Sequence, residues 1–592
     1  MNRIQTLLAI VKRQPNLRAF YAGSGSFVSR DSLQVYIKKA STPLDLPCSN
    51  KSNPFRFRGF HKLGFSFLEV VTMALLGAVF LGLVLLFCFC AALLKWNEVR
   101  YRKKGLPPGT MGWPIFGETT EFLKQGPSFM KNQRGRYGSL FKSHILGSPT
   151  IVSMDPELNR YILMNEAKGL IPGYPKSMLD ILGESNLAAV SGPLHKNLRG
   201  ALLGLISPSM IRLQLLPKID EFMRSHLSGW TDKVINIQEK TKEMALLSSM
   251  KQIAGFEKGP LSEAFKPEFY KLVLGTISLP IDLPGTNYRY AFQARKKIVS
   301  ILRLLLEERR ASTCTHDDML DALLKTEKDS KFKLNDEQII DLIITLLYSG
   351  YETVSTTSMM AVKYLHDHPS VLEEVRREHL AIRKGKGPQD AIDWNDYKSM
   401  QFTRAVIYET MRLATIVNGV LRKTTQEMEM KGFTIPKGWK IYVYTRESNY
   451  DPFMYPDPLT FNPRRWLEQS LEAHQSFMMF GAGTRLCPGK ELGVVEISSF
   501  LHYLVSRYRW EEVGGDKILK FPRVQAPNGL HGLGNAFSRK ARKDQEESVT
   551  MCWSSSSENC EKRANMKQFK QNLLRDWAPY IGARQEAKEL LN

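Results

Sequence analysis

The sequence predicts a large α+β protein, mainly helical with small peripheral β-sheets, behind a single N-terminal transmembrane helix. Three observations lead there. Apolar residues recur at spacings near three and four through most of the middle of the chain. Short alternating runs gather in only two places, residues 139–154 and 432–444. Residues 70–94 carry no charge at all. Much helix with little strand is not the pattern of a doubly wound fold.

The N-terminal part explains the charge. The 592-residue chain has a formal charge of +23, with 43% hydrophobic and 24% charged residues. Residues 1–69 carry eleven Lys/Arg against three Asp/Glu, and residues 95–104 five against one, so about half of the excess sits in two short segments. Neither has the interleaved aromatics or zinc spacing of a nucleic-acid reader, so no nucleic-acid partner is expected. Seven cysteines, at 48, 88, 90, 314, 487, 552 and 560, are odd in number and scattered; no disulfide framework follows, and a reducing compartment is the natural reading.

Residues 70–94 are long enough to span a bilayer core and apolar on every face. Lys95, Arg100, Arg102, Lys103 and Lys104 follow as a basic collar, which belongs on the cytosolic side and leaves the bulk of the chain in the cytosol. The basic extension 1–69 resists translocation. Three readings compete: a transit peptide, a hairpin retained in the cytosol, or translation from Met73, which is preferred because it satisfies the positive-inside rule. Residues 95–114 form the collar and a Pro-rich hinge, Leu106-Pro-Pro-Gly-Thr-Met-Gly-Trp-Pro114, that stops the anchor helix. A globular catalytic domain is expected over 115–533. The tail 534–592, with Ser554 to Ser557 and mixed charges, reads as largely disordered; its residues 566–591 form an amphipathic helix or are read-through sequence.

Within the domain, helical spacing covers residues 215–230, 269–279, 295–309 and 369–384, and a further helix lies around residue 410. Another starts at Asn335-Asp336 and runs to about Leu365, roughly 45 Å. It contains Ser349-Gly350-Tyr351-Glu352-Thr353-Val354-Ser355. Gly350 weakens the helix, and Thr353 can bond its hydroxyl to the carbonyl four residues earlier; a local opening and a polar notch are expected. An acid and an alcohol there can relay protons to oxygen bound on a metal. The plain alternative is a solvated Glu-Thr pair.

The most informative stretch comes late: Phe480-Gly481-Ala-Gly483-Thr-Arg485-Leu-Cys487-Pro-Gly489. Pro488 stands where a first helical residue would, followed by Glu491 and an apolar pattern through Leu492, Val495, Ile497, Phe500, Leu501 and Leu504. A sulfur at a helix N-terminus, with Arg485 two residues away, has its thiolate form favoured and suits metal ligation. A small buried thiol in a Gly-rich turn is one alternative. A dinucleotide loop is another, and fails because Leu486 occupies the third glycine position. Glu409-Thr-Met-Arg412 lies on one helical face, where an exposed ion pair is the ordinary reading. Phe461-Asn-Pro-Arg-Arg465-Trp466 supplies a further arginine, and His195-Lys-Asn-Leu-Arg199 lies upstream.

These motifs, in this order, resemble those of the cytochrome P-450 superfamily, and the likeness covers roughly residues 73–531. It implies the cytochrome P-450 fold and a haem b whose iron is ligated by Cys487. Phe480, Gly481, Gly489 and Arg485 would contact the cofactor, and His195 and Arg199 would hold a propionate, His195 standing where the superfamily usually has Trp. Glu352 and Thr353 would be the catalytic oxygen-activation pair; Ser349 and Val354 are mild departures from that motif. Glu409, Arg412 and Arg465 would lock the core behind the haem. Four strings, at 155–165, 218–224, 417–425 and 521–530, resemble the plant brassinosteroid-6-oxidase subfamily, which implies oxidation of carbon 6 of 6-deoxo steroids to the alcohol and then the ketone. The resemblance further implies O2, NADPH electrons delivered by a membrane-bound flavoprotein reductase, and an endoplasmic reticulum membrane. Leu346, Val417 and Val420 would line the steroid site, and Arg485 and Lys490 would help steer an acidic partner. Three alternatives stay open: a related plant monooxygenase acting on another sterol or terpenoid of the abscisic acid or gibberellin precursor type, a haem-thiolate isomerase or dehydratase needing no external electrons, and a damaged, non-catalytic membrane protein.

Overall fold

A computed structural model describes residues 67–536, apart from 114–115, 231–232, 257–258, 313, 315, 330–332, 388, 470, 475–476, 516–517, 522 and 527–528. The readings of the basic extension and of the tail after 537 fall outside the described residues. The chain divides into two units, Met1–Gly82 and Leu83–Asn592. Helix α1 (Phe67–Arg100) begins in the first. It is long and apolar enough to cross a membrane, and its side chains from Val71 to Phe89 are exposed.

In the second unit the principal helices are α2 (Gly192–Leu205), α3 (Leu216–Ser228), α4 (Ile237–Ala254), α5 (Pro260–Gly275), α6 (Asn287–Ala311), α7 (Asp336–Asp367), α8 (Pro369–Arg383), α9 (Gln401–Ala414) and α10 (Lys490–Arg507). The strands are β1 (Leu140–Ile145), β2 (Ser148–Ser153), β3 (Leu170–Pro172), β4 (Lys233–Asn236), β5 (Gly419–Thr424), β6 (Met428–Met430), β7 (Phe433–Ile435), β8 (Lys440–Tyr444), β9 (Tyr508–Gly515), β10 (Leu519–Lys520), β11 (Val524–Gln525) and β12 (Leu530–Ala536). They form a five-stranded sheet in the order β1-β2-β8-β5-β3, a three-stranded sheet β4-β12-β9, and the hairpins β6-β7 and β10-β11. The two strand-rich patches of the sequence are thus neighbours: β2 pairs with β8 in parallel, Ile151 opposite Ile441. The mainly helical class with small sheets holds.

The long helix α7 is set by its ends. Asn335 accepts from the Gln338 amide at 2.8 Å while the Gln338 side chain accepts from the Asn335 amide at 3.1 Å, a reciprocal cap. Its flanks bury Ile339, Ile340, Leu342, Ile343, Ile344 and Leu347 in the main core. One expectation differs from the structure. The helix read at 269–279 ends at Gly275, and the close packing of α5 on α6 demands glycine there, since a Cβ would come within 2.2 Å of the Ala291 side chain. Apolar spacing continues past it only because Ile277, Leu279, Ile281 and Leu283 stand exposed in the following loop. The Pro-rich hinge is packed. Met111 is fully buried, its amide donates to Glu98 of α1 at 2.5 Å, and Lys142 of β1 reaches the same carboxylate at 3.2 Å.

The pair Glu409 and Arg412 is wholly buried, at 0% exposure each, and not the surface ion pair that Glu-x-x-Arg ordinarily signals. Arg412 grips both carboxylate oxygens (2.9 and 2.8 Å), while Arg465 (3.2 Å), the Trp466 indole (2.9 Å) and the Asn462 amide (3.0 Å) donate to the same group. Arg412 also donates to the carbonyls of Asn449 and Pro458, which fastens the chain after β8 to α9. Arg412→Ala strands a buried carboxylate, and a loss of about 3–5 kcal/mol is expected in chemical denaturation.

A second buried group joins α7's neighbours. Thr403 of α9 donates to Glu378 at 2.5 Å, so it accepts from His379 Nε2 at 2.9 Å, and His379 Nδ1 in turn accepts from His502 Nδ1 at 3.0 Å. Burial pushes His379 down to about 3 and His502 well below the usual imidazole value. The folded chain keeps both rings neutral, whereas the unfolded chain protonates them below about pH 6.5. Stability is therefore unaffected above that pH and falls as pH drops from about 6.5 toward 3, by about 1.4 kcal/mol per pH unit for each imidazole. Thermal midpoints measured across this range should show the fall, and His502→Leu should flatten it.

Candidate functional site

The cysteine loop is closed by its own backbone. The Cys487 amide donates to the Phe480 carbonyl at 2.8 Å, and Gly481 and Gly483 take the left-handed φ values of 76° and 69° that the turn requires. A Cβ on Gly483 would lie 2.5 Å from the Leu163 carbonyl, so the loop presses on the helix Pro156–Met164. Helix α10 begins at Lys490 with Gly489 as its cap, and Pro488 lies outside it. The expected start at Pro488 is therefore two residues early: the loop closure uses the turn in which a helix would have begun.

Cys487 is solvent-accessible, yet enough protein surrounds it for burial to push its thiol up. The Gly489 amide and the charges of Arg199 and Lys490 pull the other way. The helix end and Arg485 do not by themselves ionise the sulfur, which corrects the sequence expectation; metal coordination deprotonates a thiol outright. Arg485 faces elsewhere. It donates through Nε to Glu166 at 2.5 and 2.6 Å, through Nη1 to the carbonyls of Leu187 and Ala188 at 3.0 Å each, and through Nη2 to Val190. Four of its five N–H groups hold the loop to residues 166 and 187–190.

Around that contact lies an excess of positive charge. Arg199 donates to the Leu486 carbonyl at 2.6 Å. Arg422 of β5 is buried, reaches Glu166 at only 3.9 Å, and has its Nε buried with no hydrogen-bond partner. Burial, with help from Arg485 and Arg199, lowers the His195 imidazole, so it is neutral and can donate one N–H. Arg485 and Arg422 share one carboxylate, Glu166, while Arg199 lies on the Leu486 carbonyl, and an anionic edge would complete them. A second observation has the same sense. Gly489 has an ordinary φ of −89°, and a Cβ on it would meet no protein atom within 4 Å. Nothing in the protein calls for glycine there, whereas a flat group lying on the loop does. A haem, with its carboxylate edge on Arg199, Arg422 and His195 and its face on Gly489 and Cys487, fits these residues.

On α7, Leu346, Ser349, Gly350 and Thr353 are at least partly accessible, as are Tyr348 and Glu352. Thr353 Oγ1 donates to the Ser349 carbonyl at 2.7 Å, as the spacing implied. The helix nevertheless runs unbroken through Gly350, so the expected opening is absent. A Cβ on Gly350 would come 2.9 Å from the Ser249 hydroxyl, so this glycine serves the close approach of α4. A Cβ added to Gly493 of α10 would lie 3.9 Å from Val354, the residue beside Thr353, so α7 adjoins the helix that follows the cysteine loop. Glu352 turns a different way. Arg523 binds it at 2.8 Å, and Lys242 of α4 senses its charge. Glu352 and Thr353 are therefore not a joined pair.

Of the side chains assigned to a substrate, Val417 stands 46% exposed, Leu346 is half-buried, and Val420 packs on the small core under the five-stranded sheet. Lys490 does not stand free for a partner: it pairs with Glu472 at 2.6 Å and lies over the rings of Tyr408, Phe477 and Phe480. Sequence reasoning missed Glu166, Lys242, Arg422 and Arg523. Arg422 and Arg523 lay inside strings noticed only for their likeness, because no spacing rule pairs residues so far apart in the chain.

The cytochrome P450 family model matches residues 107–530. Cytochrome P450 85A of Phaseolus vulgaris is 72% identical over 466 residues, which is 79% of this chain and all of that protein. A more distant relative of Arabidopsis thaliana, named 3beta,22alpha-dihydroxysteroid 3-dehydrogenase, is 39% identical across 73% of this chain and 93% of its own. Among solved structures, retinoic acid-bound cyanobacterial CYP120A1 matches with a TM-score of 0.67 and 27% identity, over 73% of this chain and 99% of that one. Gly489→Ala should leave the unfolding free energy within about 0.5 kcal/mol, since its methyl meets no protein atom. The same variant should lower the haem retained per protein through purification, read from the absorbance ratio.

Proposed function

The chain belongs to the cytochrome P450 family and is a P450 monooxygenase, and on that premise we propose that it oxidises carbon 6 of 6-deoxo brassinosteroid precursors, first to the alcohol and then to the ketone. What carries the substrate class is likeness along the whole domain rather than at the motifs alone: the P450 85A relatives align over nearly their full length, and the more distant relative bears a steroid in its name. The strings at 155–165, 218–224, 417–425 and 521–530 belong to that likeness.

In this reading Cys487 is the iron ligand, and the haem it holds supplies oxygen activation, with the thiolate favouring O–O cleavage. Arg199, Arg422 and His195 bind the acidic edge. Arg485 keeps the loop against Glu166 and residues 187–190 and leaves one N–H for the cofactor. Phe480, Gly481 and Gly489 shape the loop beneath the haem. Thr353 has its own proton on the Ser349 carbonyl, so its oxygen is an acceptor toward the open side of α7 and can hold a proton-bearing group in place. Glu352 is the nearby acid that resupplies protons, and the lock of Glu409, Arg412 and Arg465 keeps the surrounding chain in register. Val417 and Leu346 face the steroid.

Residues 70–94 act as a single-pass anchor in the endoplasmic reticulum, residues 95–114 as collar and hinge, and residues 115–533 as the cytosolic catalytic domain. A membrane-bound NADPH-dependent flavoprotein reductase supplies two electrons for each O2. The accessible Thr353, on the helix that adjoins α10, favours oxygen activation over an isomerase or dehydratase, which has no need of proton delivery to dioxygen.

The test is the full chain with a plant reductase. A thiolate-type carbon monoxide difference spectrum and conversion of a 6-deoxo steroid to its 6-oxo product are expected; a good spectrum without turnover would remove the substrate and leave the family. Thr353→Ala should keep the spectrum and lower steroid product per NADPH by about tenfold to a hundredfold, with hydrogen peroxide in its place.

A further inference from the structure

We propose that Asp341 of α7 is a positioning residue for the cofactor: with Arg295 it fastens a strap, residues 181–190, whose other end holds Arg485 and with it the cysteine loop. The proposal rests on the reading of Cys487 as the iron ligand given above.

The strap is a tight turn built on one side chain. Asn186 is fully buried; its Nδ2 donates to the Gly183 carbonyl, its Oδ1 accepts from the Ala189 amide at 3.0 Å, and its own carbonyl accepts from the Val190 amide at 3.1 Å. Leu187 and Val190 are buried in the main core. The turn therefore has a fixed shape, and the carbonyls of Leu187, Ala188 and Val190 all accept from the Arg485 guanidinium. The N–H groups of a guanidinium lie in one rigid plane, so three carbonyls can meet them only where the backbone already converges.

The near end of the strap is held from α7. Asp341 is 5% exposed; its Oδ2 accepts from the Ser185 amide at 3.0 Å, and its Oδ1 accepts from Arg295 Nη2 of α6 at 2.5 Å. Arg295 Nη1 donates to the Ile181 carbonyl at 3.2 Å, in the last turn of the helix Lys176–Leu182. Between these contacts the backbone comes so close that a Cβ on Gly183 would lie 2.1 Å from the Asp341 carboxylate, and Gly183 takes a φ of 102°. Ile181, Gly183 and Ser185 thus bear on one buried ion pair, and Leu187, Ala188 and Val190 bear on Arg485. The register of the strap decides which N–H groups Arg485 spends on protein and where its remaining one points. Asp341 sets that register from α7 and acts on the cysteine loop only through the strap.

The experiment uses the full haem-loaded chain and reads hydrogen exchange at the amides of residues 185–190 and the rate at which haem passes to excess apomyoglobin. Asp341→Asn is expected to form the thiolate-type carbon monoxide spectrum and to speed both processes by about tenfold, the factor set by loss of one hydrogen bond to a charged group. Arg295→Lys, which keeps a cation on the carboxylate, should speed both less. Gly183→Ala keeps every charge and pushes the strap off Asp341, so it should speed both as well, and it decides the matter if Asp341→Asn does not fold. Arg309→Gln is the control, since it breaks the bonds to Asp318 and Asp321 near the C-terminal end of α6. It should lower the thermal midpoint at least as far as Asp341→Asn does and leave both rates unchanged. Unchanged exchange in Asp341→Asn and Gly183→Ala overturns the proposal, and so does faster exchange with unchanged haem transfer. Haem transfer from Arg309→Gln as fast as from Asp341→Asn would make Asp341 a folding residue only and overturns it too. If the unsubstituted protein gives no thiolate-type spectrum, the reading of Cys487 fails; if it gives one and the strap variants hold haem as well as it does, only the present proposal fails.

Discussion

A carboxylate buried at 0% exposure has to be compensated, and Glu409 is compensated five times over. Burying it unpaired would cost several kcal/mol, so the donors must all arrive together. Two come from the same helix turn, but Arg465, Trp466 and the Asn462 amide come from chain more than fifty residues later. Their convergence ties α9 to the segment that leads into the cysteine loop. The position of Cys487 is in that sense inherited from Glu409: the loop leaves a segment whose path has already been fixed by a charge that cannot be left alone.

The loop adds a second charge constraint with the opposite sign. Arg422 and Arg485 both turn to Glu166, Arg199 holds the Leu486 carbonyl, and the buried Nε of Arg422 has no acceptor. Guanidinium groups in a partly dry site repel strongly unless anions intervene. Glu166 satisfies Arg485 and reaches Arg422 poorly. The surplus is what an acidic cofactor edge completes, and the open face of Gly489 provides the place for its plane. In the proposed reading, loop rigidity falls mainly to Arg485 and cofactor binding to Arg422 and Arg199.

Proton delivery divides in the same manner. Thr353 is set by its own helix through one bond to Ser349, while Glu352, the next residue, belongs to a network that crosses to α5 and to the β10-β11 turn. Adjacent residues on a helix point about 100° apart, which is enough to assign them to different surroundings. The two are neighbours in the chain whose side chains have different partners. The expected notch at Gly350 failed for a related reason: the glycine was explained by helix strain, whereas it answers to the Ser249 hydroxyl on α4.

The sequence by itself determined what depends on local patterns and on close-set residue types. It was enough for the helical class with small sheets, the uncharged stretch 70–94, the cap at Asn335, the back-bond of Thr353, the cysteine loop, and the Glu409 and Arg412 pair, since each lies within a few residues of its partner or repeats at a helical period. Only the tertiary structure decided which way Glu352 and Arg485 face, that Lys490 is already paired, that α5 stops at Gly275, and that Arg422, Glu166, Lys242 and Arg523 belong to the site at all. The physical reason is the same in each case. Those outcomes are settled by burial, close packing and competition for partners that lie from 16 to 319 residues away, and no periodicity in the chain records which partner will arrive first.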